Sequence, residues 1–324
     1  MTRRRRIVLK SMGISLLFPW VFEPESEGGV HLDVEDLDHV VTGSFARISR
    51  AMVSDLTVTS WNVAYGRRYA RVADSMEFLL RSDVFLLQEV DRLTNRTRDK
   101  KGLRDLPRLF AERLRMNYAY GLEFQELKQD GPGRVAFTGQ QTLSAFPLSR
   151  PETVRFRKQL ADWSRGWLGF WQKRRGGRMF LYCQAHINGN ALHLYNTHLE
   201  SHASDKEKLV QVAELLEHVS VTASHGEPVI IAGDLNTKGS EHSPVVKRLL
   251  AAGFEDAVLE RLPGKNPTNR NGDRRLDWLF SKNLEPTGAR LAPGLLGSDH
   301  RAVSVTYRAP RAHAPASEQV ENGR

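Results

Sequence analysis

Glu89, Asp234 and His300 stand beside three apolar runs, in the segments LLQEVD, IAGDLNT and GSDHRAVSV, and four more polar segments of this kind punctuate the chain. These are SWNVAYG, GQQTLSAFPL, YNTHLES and RRLDWLF. The residue types suit hydrolysis of a phosphate ester, which resists attack mainly because its own oxygens repel the nucleophile. A catalyst must neutralise that charge, place a water in line and protonate the leaving oxygen. Glu89 is a hard oxygen ligand of the kind Mg²⁺ takes, with Mn²⁺ as a substitute, and Asn62 adds a neutral amide contact beside it. Asp234 and Asn236 are two residues apart, so an extended backbone projects them to the same side, one to polarise water and the other to hold it. His198 and His300 carry the side chain whose reference pKa, about 6.5, suits proton transfer near neutrality. Asp277 and Asp299 are the acids placed to partner them.

One such segment means little, because a strand-end Asp is usually a turn former or a helix cap and a lone histidine is usually structural. The weight lies in having seven of them, in this order, in one chain. From Leu56 to Tyr307 the chain resembles the endonuclease/exonuclease/phosphatase superfamily, which contains deoxyribonuclease I, abasic-site endonucleases, sphingomyelinases and inositol polyphosphate 5-phosphatases. The resemblance implies that Asn62 of SWN is a metal-site and phosphate-positioning residue and Glu89 of LLQEV the principal Mg²⁺ ligand. It implies that His198 of NTHL contacts the scissile phosphate, and that Asp234 and Asn236 of GDLN activate and orient the nucleophilic water. Asp277 of RLDWLF would orient the last histidine, and Asp299 with His300 of SDH would form the closing acid/base dyad, Asp299 also serving the metal site. Two departures narrow the branch. Val63 and Ala64 follow SWN where abasic-site enzymes carry an Asp ligand, and Gln140 and Ala145 replace the Asn and Arg of the family's G-N-A-x-L-S-R-x-P run.

The elements that must position these residues alternate along the chain. LTVTSWN, DVFLLQE, EPVIIAGDL, RLDWLFS and AVSVTYR read as strands. MFLYCQAHI and ALHLYNTHL face each other across Asn188-Gly189-Asn190, a hairpin signal, and Cys183 in the first of them reads as a buried strand residue. YARVADSMEFLLRS has helical spacing, with Val72, Met76 and Leu79 or Leu80 on one face. LPRLFAERLRM, DKEKLVQVAELLEHV and SPVVKRLLAAG are further helices, the last stopped by Gly253. A hairpin mixed with helix-connected strands favours two packed sheets covered by helices. The resemblance makes this a four-layer α/β/β/α sandwich of mixed sheets with the site at the strand ends.

The sequence divides into an export-like or interfacial segment over 1–28, a linker over 29–54, the catalytic domain over 55–308 and a disordered tail over 309–324. TRRRRIVLK resembles a twin-arginine export signal with Arg5 and Arg6 as the pair, and Ile14 to Phe22 is too short to span a bilayer. Export or inner-membrane association in a bacterium is therefore the expectation, with a cytoplasmic location as the alternative. The net charge of +9 lies in the catalytic stretch, since residues 1–54 hold seven basic and seven acidic side chains and residues 309–324 two of each. Residues 150–178 carry nine Arg or Lys against two acids, interleaved with Trp163, Trp167 and Trp171 at helical spacing. This stretch reads as a packed Trp stripe under a solvated loop, as a nucleic-acid surface or as a lipid interface. Arg274 and Arg275, just before the Asp277 strand, are further candidate substrate contacts. His202, one turn beyond NTHL, lies within reach of phosphate, and Glu123 or Glu126 is placed to orient His198. The resulting expectation is a monomeric, Mg²⁺-dependent nuclease of the deoxyribonuclease I kind. A phospholipid or sphingolipid phosphodiesterase or phosphatase is the alternative, and a noncatalytic nucleic-acid or membrane binding protein the reading from another class.

Overall fold

A computed structural model describes residues 37–46, 52–99, 102–127, 135–160, 173–237 and 242–310. The export-like segment, the three tryptophans of the basic stretch and residues 311–324 of the tail lie outside the described residues. Among the described residues no helix is long and apolar enough to cross a membrane.

Two mixed sheets form the centre. The first contains β1 (Val40–Ser44), β2 (Asp55–Asn62), β3 (Val84–Arg92), β4 (Asn117–Glu126) and β5 (Phe137–Ser144). The second is built from β6 (Leu148–Arg155), β8 (Met179–Ile187), β9 (Asn190–His198), β10 (Val229–Asp234), β11 (Glu255–Asp256) and β12 (Asp277–Lys282). Three more strands, β7 (Arg174–Gly176), β13 (Pro286–Leu291) and β14 (Val303–Arg308), complete the first sheet, whose order is β1-β4-β5-β3-β2-β14-β13 with β7 on β4. The second runs β11-β12-β10-β9-β8-β6. The span expected as a linker thus contributes an edge strand: β1 needs only one partner, and Val40 to Ser44 find it antiparallel to β4.

Apolar side chains alternate between two faces of each strand, and both faces are covered, which is why the strand sequences read as continuous apolar runs. Val58, Leu86, Leu181, Leu194, Ile230 and Leu279 fill the space between the sheets, and Cys183 is buried with them. Outside the first sheet, Trp61, Phe85 and Tyr120 pack with Val72 of α1 (Tyr69–Asp74), Met76 of the turn that follows it and Phe110 of α2 (Leu106–Leu114). Outside the second, Tyr195, Ile231 and Phe280 pack with Leu215 and Leu249 from α3 (Asp205–Thr222) and α4 (Pro244–Ala251). The result is the expected four-layer sandwich.

Local chemistry sets the element ends. Ser204 and Glu207 form a capping box at the start of α3, and Ser243 caps α4 ahead of Pro244. Asn188 and Gly189 turn the β8–β9 hairpin with φ of 52° and 81°. The expected face holds, with Val72, Met76 and Leu80 buried and Leu79 turned to solvent, although the helix loosens into a π-helical stretch over Ser75–Leu80. Two parallel pairs, β2 with β3 and β9 with β10, are joined through α1 and α3 respectively, so their carboxyl ends lie at the same end of the sandwich. That is where an α/β sheet ordinarily binds its ligand.

Candidate active site

Strand register assembles half of the site. In the second sheet Asp234 is paired with His198 on one side and with Asp277 on the other, so one row across β9, β10 and β12 carries all three. The approach of β10 to β9 is close: a Cβ on Gly233, at φ 149°, would sit 1.8 Å from the Thr197 carbonyl oxygen, which restricts the GDLN glycine to glycine. His300 enters from the loop before β14. Its backbone carbonyl accepts from Trp61 Nε1 at 3.0 Å, and Ser298 Oγ donates to the Asn62 carbonyl at 2.6 Å, which fastens this loop to β2.

The first sheet supplies Glu89 through a bulge. Leu87 pairs with Gln141 and Val90 with Gly139, so Gln88 and Glu89 together oppose Gln140 alone, and Glu89 takes φ 53°. A non-glycine residue at that φ is strained, and such strain is retained where it aims a side chain. A polar clamp fixes the spacing of the two sheets here: Gln88 Nε2 donates to Asn196 Oδ1 at 2.7 Å, and Asn196 Nδ2 donates to the Leu87 carbonyl at 2.9 Å. Asn62 spans the same gap, its Nδ2 lying 3.2 Å from both Glu89 Oε1 and Asp234 Oδ2. Its amide oxygen accepts from the Ala64 N–H at 3.0 Å. Asn62 Nδ2 thus links the two carboxylates across the gap between the sheets.

The two histidines have opposite electrostatics. His300 Nδ1 lies 2.7 Å from Asp277 Oδ2, and its Nε2 lies 3.8 Å from Asp234 Oδ2. Burial opposes the charged ring, but Asp277 and then Asp234 overcome it and hold His300 up at about 10. His198 Nε2 is 3.6 Å from the same Asp234 oxygen. Burial, followed by the nearby Arg178 and His300 cations, drives His198 well below its ordinary value. One imidazole is held cationic and the other neutral, the separation by which a single site presents both an acid and a neutral hydrogen-bonding ring. Burial raises Asp234 above the usual carboxylate range, against the pull of His300. Among the described residues, the buried atoms His198 Nδ1, Asp277 Oδ1 and Arg178 Nε have no hydrogen-bond partner.

Arg178, just before β8, is the residue that sequence reasoning missed. It donates to Glu123 Oε1 at 2.6 Å, sits 3.7 Å from Glu200 Oε2, and acts electrostatically on both Glu89 and His198. Its only advance signal was its place at the end of the basic stretch. Glu123 therefore serves Arg178 rather than His198, and Glu126 pairs with Arg96 and Arg174 at 3.2 and 3.1 Å. Other expected contacts lie elsewhere. Arg275 turns inward to Asp256, at 2.6 and 2.7 Å, and stacks on Trp278, which takes its guanidinium away from substrate. Arg274 and His202 are exposed, and Asn236 uses its Nδ2 on the Leu199 carbonyl at 3.0 Å. Asp299 is exposed at the rim, so Asp277 is the direct partner of His300. Gln140, standing in for the family's Asn, donates to the Met179 carbonyl at 2.9 Å and braces one sheet against the other.

Among the described residues of the site, two groupings offer donors to a cation. Asp234, Asp277 and His300 place one ligand atom each within 4.8 Å of one another. Within it, His300 Nδ1 and Asp277 Oδ2 are already joined at 2.7 Å. Glu89 with Asp234 offers only oxygens, the set a hard divalent ion prefers. Burial pushes Glu89 up from its ordinary 4.5 to about 7. A carboxyl raised by folding imposes no penalty below its unfolded value and the full penalty above its folded one. Glu89→Gln is accordingly expected to stabilise the protein at pH 8, by about 2 kcal/mol after allowance for partial exposure, and not at pH 4. Thermal melts with a chelator present check this, and a gain equal at both pH values would refute it.

Residues 59–300 match the sequence model of the Endonuclease/Exonuclease/phosphatase family. Among solved structures, an endonuclease/exonuclease/phosphatase from Beutenbergia cavernae is 19% identical with a TM-score of 0.58, over 80% of this chain and 73% of that one. The human Nocturnin catalytic domain with bound sulfate is 15% identical with a TM-score of 0.58, over 84% and 98%. Truncated Caenorhabditis elegans TDP2 is 21% identical with a TM-score of 0.52, over 79% and 98%. No curated protein matches the chain. At these identities the structures share the fold, while the family match spans three quarters of the sequence and includes Asn62, Glu89, His198, Asp234, Asp277 and His300. The chain belongs to the endonuclease/exonuclease/phosphatase family.

Proposed function

We propose that this chain is a divalent-cation-dependent phosphodiesterase that cleaves nucleic-acid backbones with water as the nucleophile. The observation that carries the reading is the convergence of Asp234, neutral His198 and the Asp277–His300 pair opposite Glu89. Glu89 and Asp234 are the residues that would hold Mg²⁺, or Mn²⁺ in its place, and the ion when bound supplies charge neutralisation at the phosphate. Asp234, once ionised, takes a proton from the attacking water. His300, kept cationic by Asp277 and Asp234, offers Nε2 to the phosphate and is a proton source for the leaving oxygen. His198 binds a phosphate oxygen as a neutral ring, and Arg178 adds a fixed positive charge behind it. The basic balance of the catalytic stretch favours a polyanionic substrate.

The test compares supercoiled plasmid, RNA, sphingomyelin vesicles and bis-p-nitrophenyl phosphate with Mg²⁺, with Mn²⁺ and with chelator. Plasmid nicking that chelator stops and Mg²⁺ restores is the expected result. Turnover of sphingomyelin with the plasmid left intact would replace this reading by a lipid phosphodiesterase. DNA retention without hydrolysis of any ester would make the chain a binding protein.

A further inference from the structure

On the Glu89 side of the candidate site, a cluster of Tyr65 and three arginines is built in a way that asks for a purpose. Two residues after Asn62, the run Ala64, Tyr65 and Gly66 adopts φ of 49°, 63° and 62°. Only the glycine takes that conformation without strain, and strain of this kind persists where the surrounding structure uses it. The Tyr65 ring is gripped by two guanidiniums, Arg96 Cζ at 4.2 Å and Arg67 Cζ at 4.9 Å from its centroid. So held, its hydroxyl faces the Arg174 guanidinium and feels the charge of Glu89. Burial raises the phenol further above its ordinary value, so the group remains a neutral donor.

Arg174 is mounted as firmly. It begins β7, which pairs with the end of β4, and it packs 4.6 Å over the Phe124 ring while Glu126 holds it at 3.1 Å. Arg96 is locked behind, bidentate to Asp91 at 2.7 and 2.8 Å. The supporting acids are buried, with Asp91, Glu126 and Glu123 side chains 0, 4 and 1% exposed, whereas Arg174 is 24% exposed. Acids behind and donors in front is the arrangement that presents a guanidinium to an anion without letting it collapse.

We propose that Tyr65 and Arg174 form a second anion subsite beside Glu89, which holds a phosphate neighbouring the one that is cleaved. The subsite gives a role to the end of the basic stretch and makes the enzyme selective for substrates with at least two phosphates. It rests on the phosphodiesterase reading above, and its test includes binding so that the two can fail separately.

Thymidine 3′,5′-bisphosphate and thymidine 5′-phosphate are titrated calorimetrically into wild type, Tyr65→Phe and Arg174→Gln. Wild type is expected to bind the bisphosphate tighter by about tenfold or more, the order of one charge-assisted hydrogen bond, with each variant losing most of that preference. In hydrolysis, the variants are expected to raise KM for a 5′-phosphorylated dinucleotide more than for bis-p-nitrophenyl phosphate. Equal binding of both nucleotides by wild type overturns the subsite. So does a variant that weakens both nucleotides alike, which is the signature of a wall that merely fastens β7 to β4. Should Arg174→Gln fail to fold, Tyr65→Phe alone decides. A bisphosphate preference in a protein that hydrolyses no ester would uphold the subsite and sink the phosphodiesterase reading.

Discussion

Replacing Asp234 with Asn is expected to lower kcat by about 10³-fold, the scale of removing a positioned general base, while the protein still folds and retains plasmid DNA as the proposed function requires. Asn keeps the size of the side chain and an oxygen for the Asn236 N–H, which Asp234 Oδ1 accepts at 2.9 Å. It loses the ability to take a proton. Two stability effects oppose each other: the substitution removes a carboxylate that burial disfavours, and it removes an anion that attracts His300. Tm should therefore remain within about 4 °C of wild type, since roughly 1 kcal/mol moves a domain of this size by only a few degrees. Single-turnover kinetics and thermal melts check both statements. A variant that retains a tenth of the activity would remove Asp234 from the role of base.

Much of this site was legible because its residues stand where apolar runs stop. The apolar run VIIAG located the strand that ends at Asp234, and the order of the segments gave the family; Asn236, at φ 47°, lies past the extended backbone that was expected to align it with Asp234. Pairing was not legible. That Asp234 aligns with both His198 and Asp277 follows from which strands are neighbours, and no local pattern encodes neighbours. The bulge at Glu89 is hidden in the same way, because VFLLQEV buries both faces and an extra residue disturbs no alternation. Arg178 and Glu123 lie 55 residues apart and meet because β7 pairs with the end of β4, which sets Gly177 against the Glu123 carbonyl.

The misread residues show where side-chain type misleads. Arg274 and Arg275 looked equivalent before the Asp277 strand, yet one is exposed and the other is buried against Asp256. A strand of five residues at a sheet edge passed for a linker, since its sequence need satisfy only one neighbour. Polar residues at the strand ends also divide into two kinds that look alike in sequence. Gln88 and Asn196 hold the sheets together, and Glu89 and His198, one and two residues farther on, turn toward Asn62 and Asp234.

The Asp277–His300 pair gives the sharpest pH signature. Asp277→Asn is expected to lower kcat by about 10³- to 10⁴-fold, the loss seen when an acid that orients a catalytic histidine becomes an amide. The amide can no longer accept from Nδ1–H as a carboxylate does, so the ring loses both its orientation and the main attraction that keeps it charged. In wild type the alkaline limb of kcat should fall near pH 10, where His300 gives up its proton. In the variant that limb should move toward the ordinary histidine value, about 6.5. Stability carries the same sign. A histidine raised by folding contributes fully below its unfolded pKa and loses that contribution as pH rises through its folded pKa. Breaking this buried pair should therefore cost about 3 kcal/mol at pH 6, and the difference should shrink as pH approaches 10. A rate loss with an unmoved alkaline limb would show that Asp277 shapes the site without holding the proton on His300.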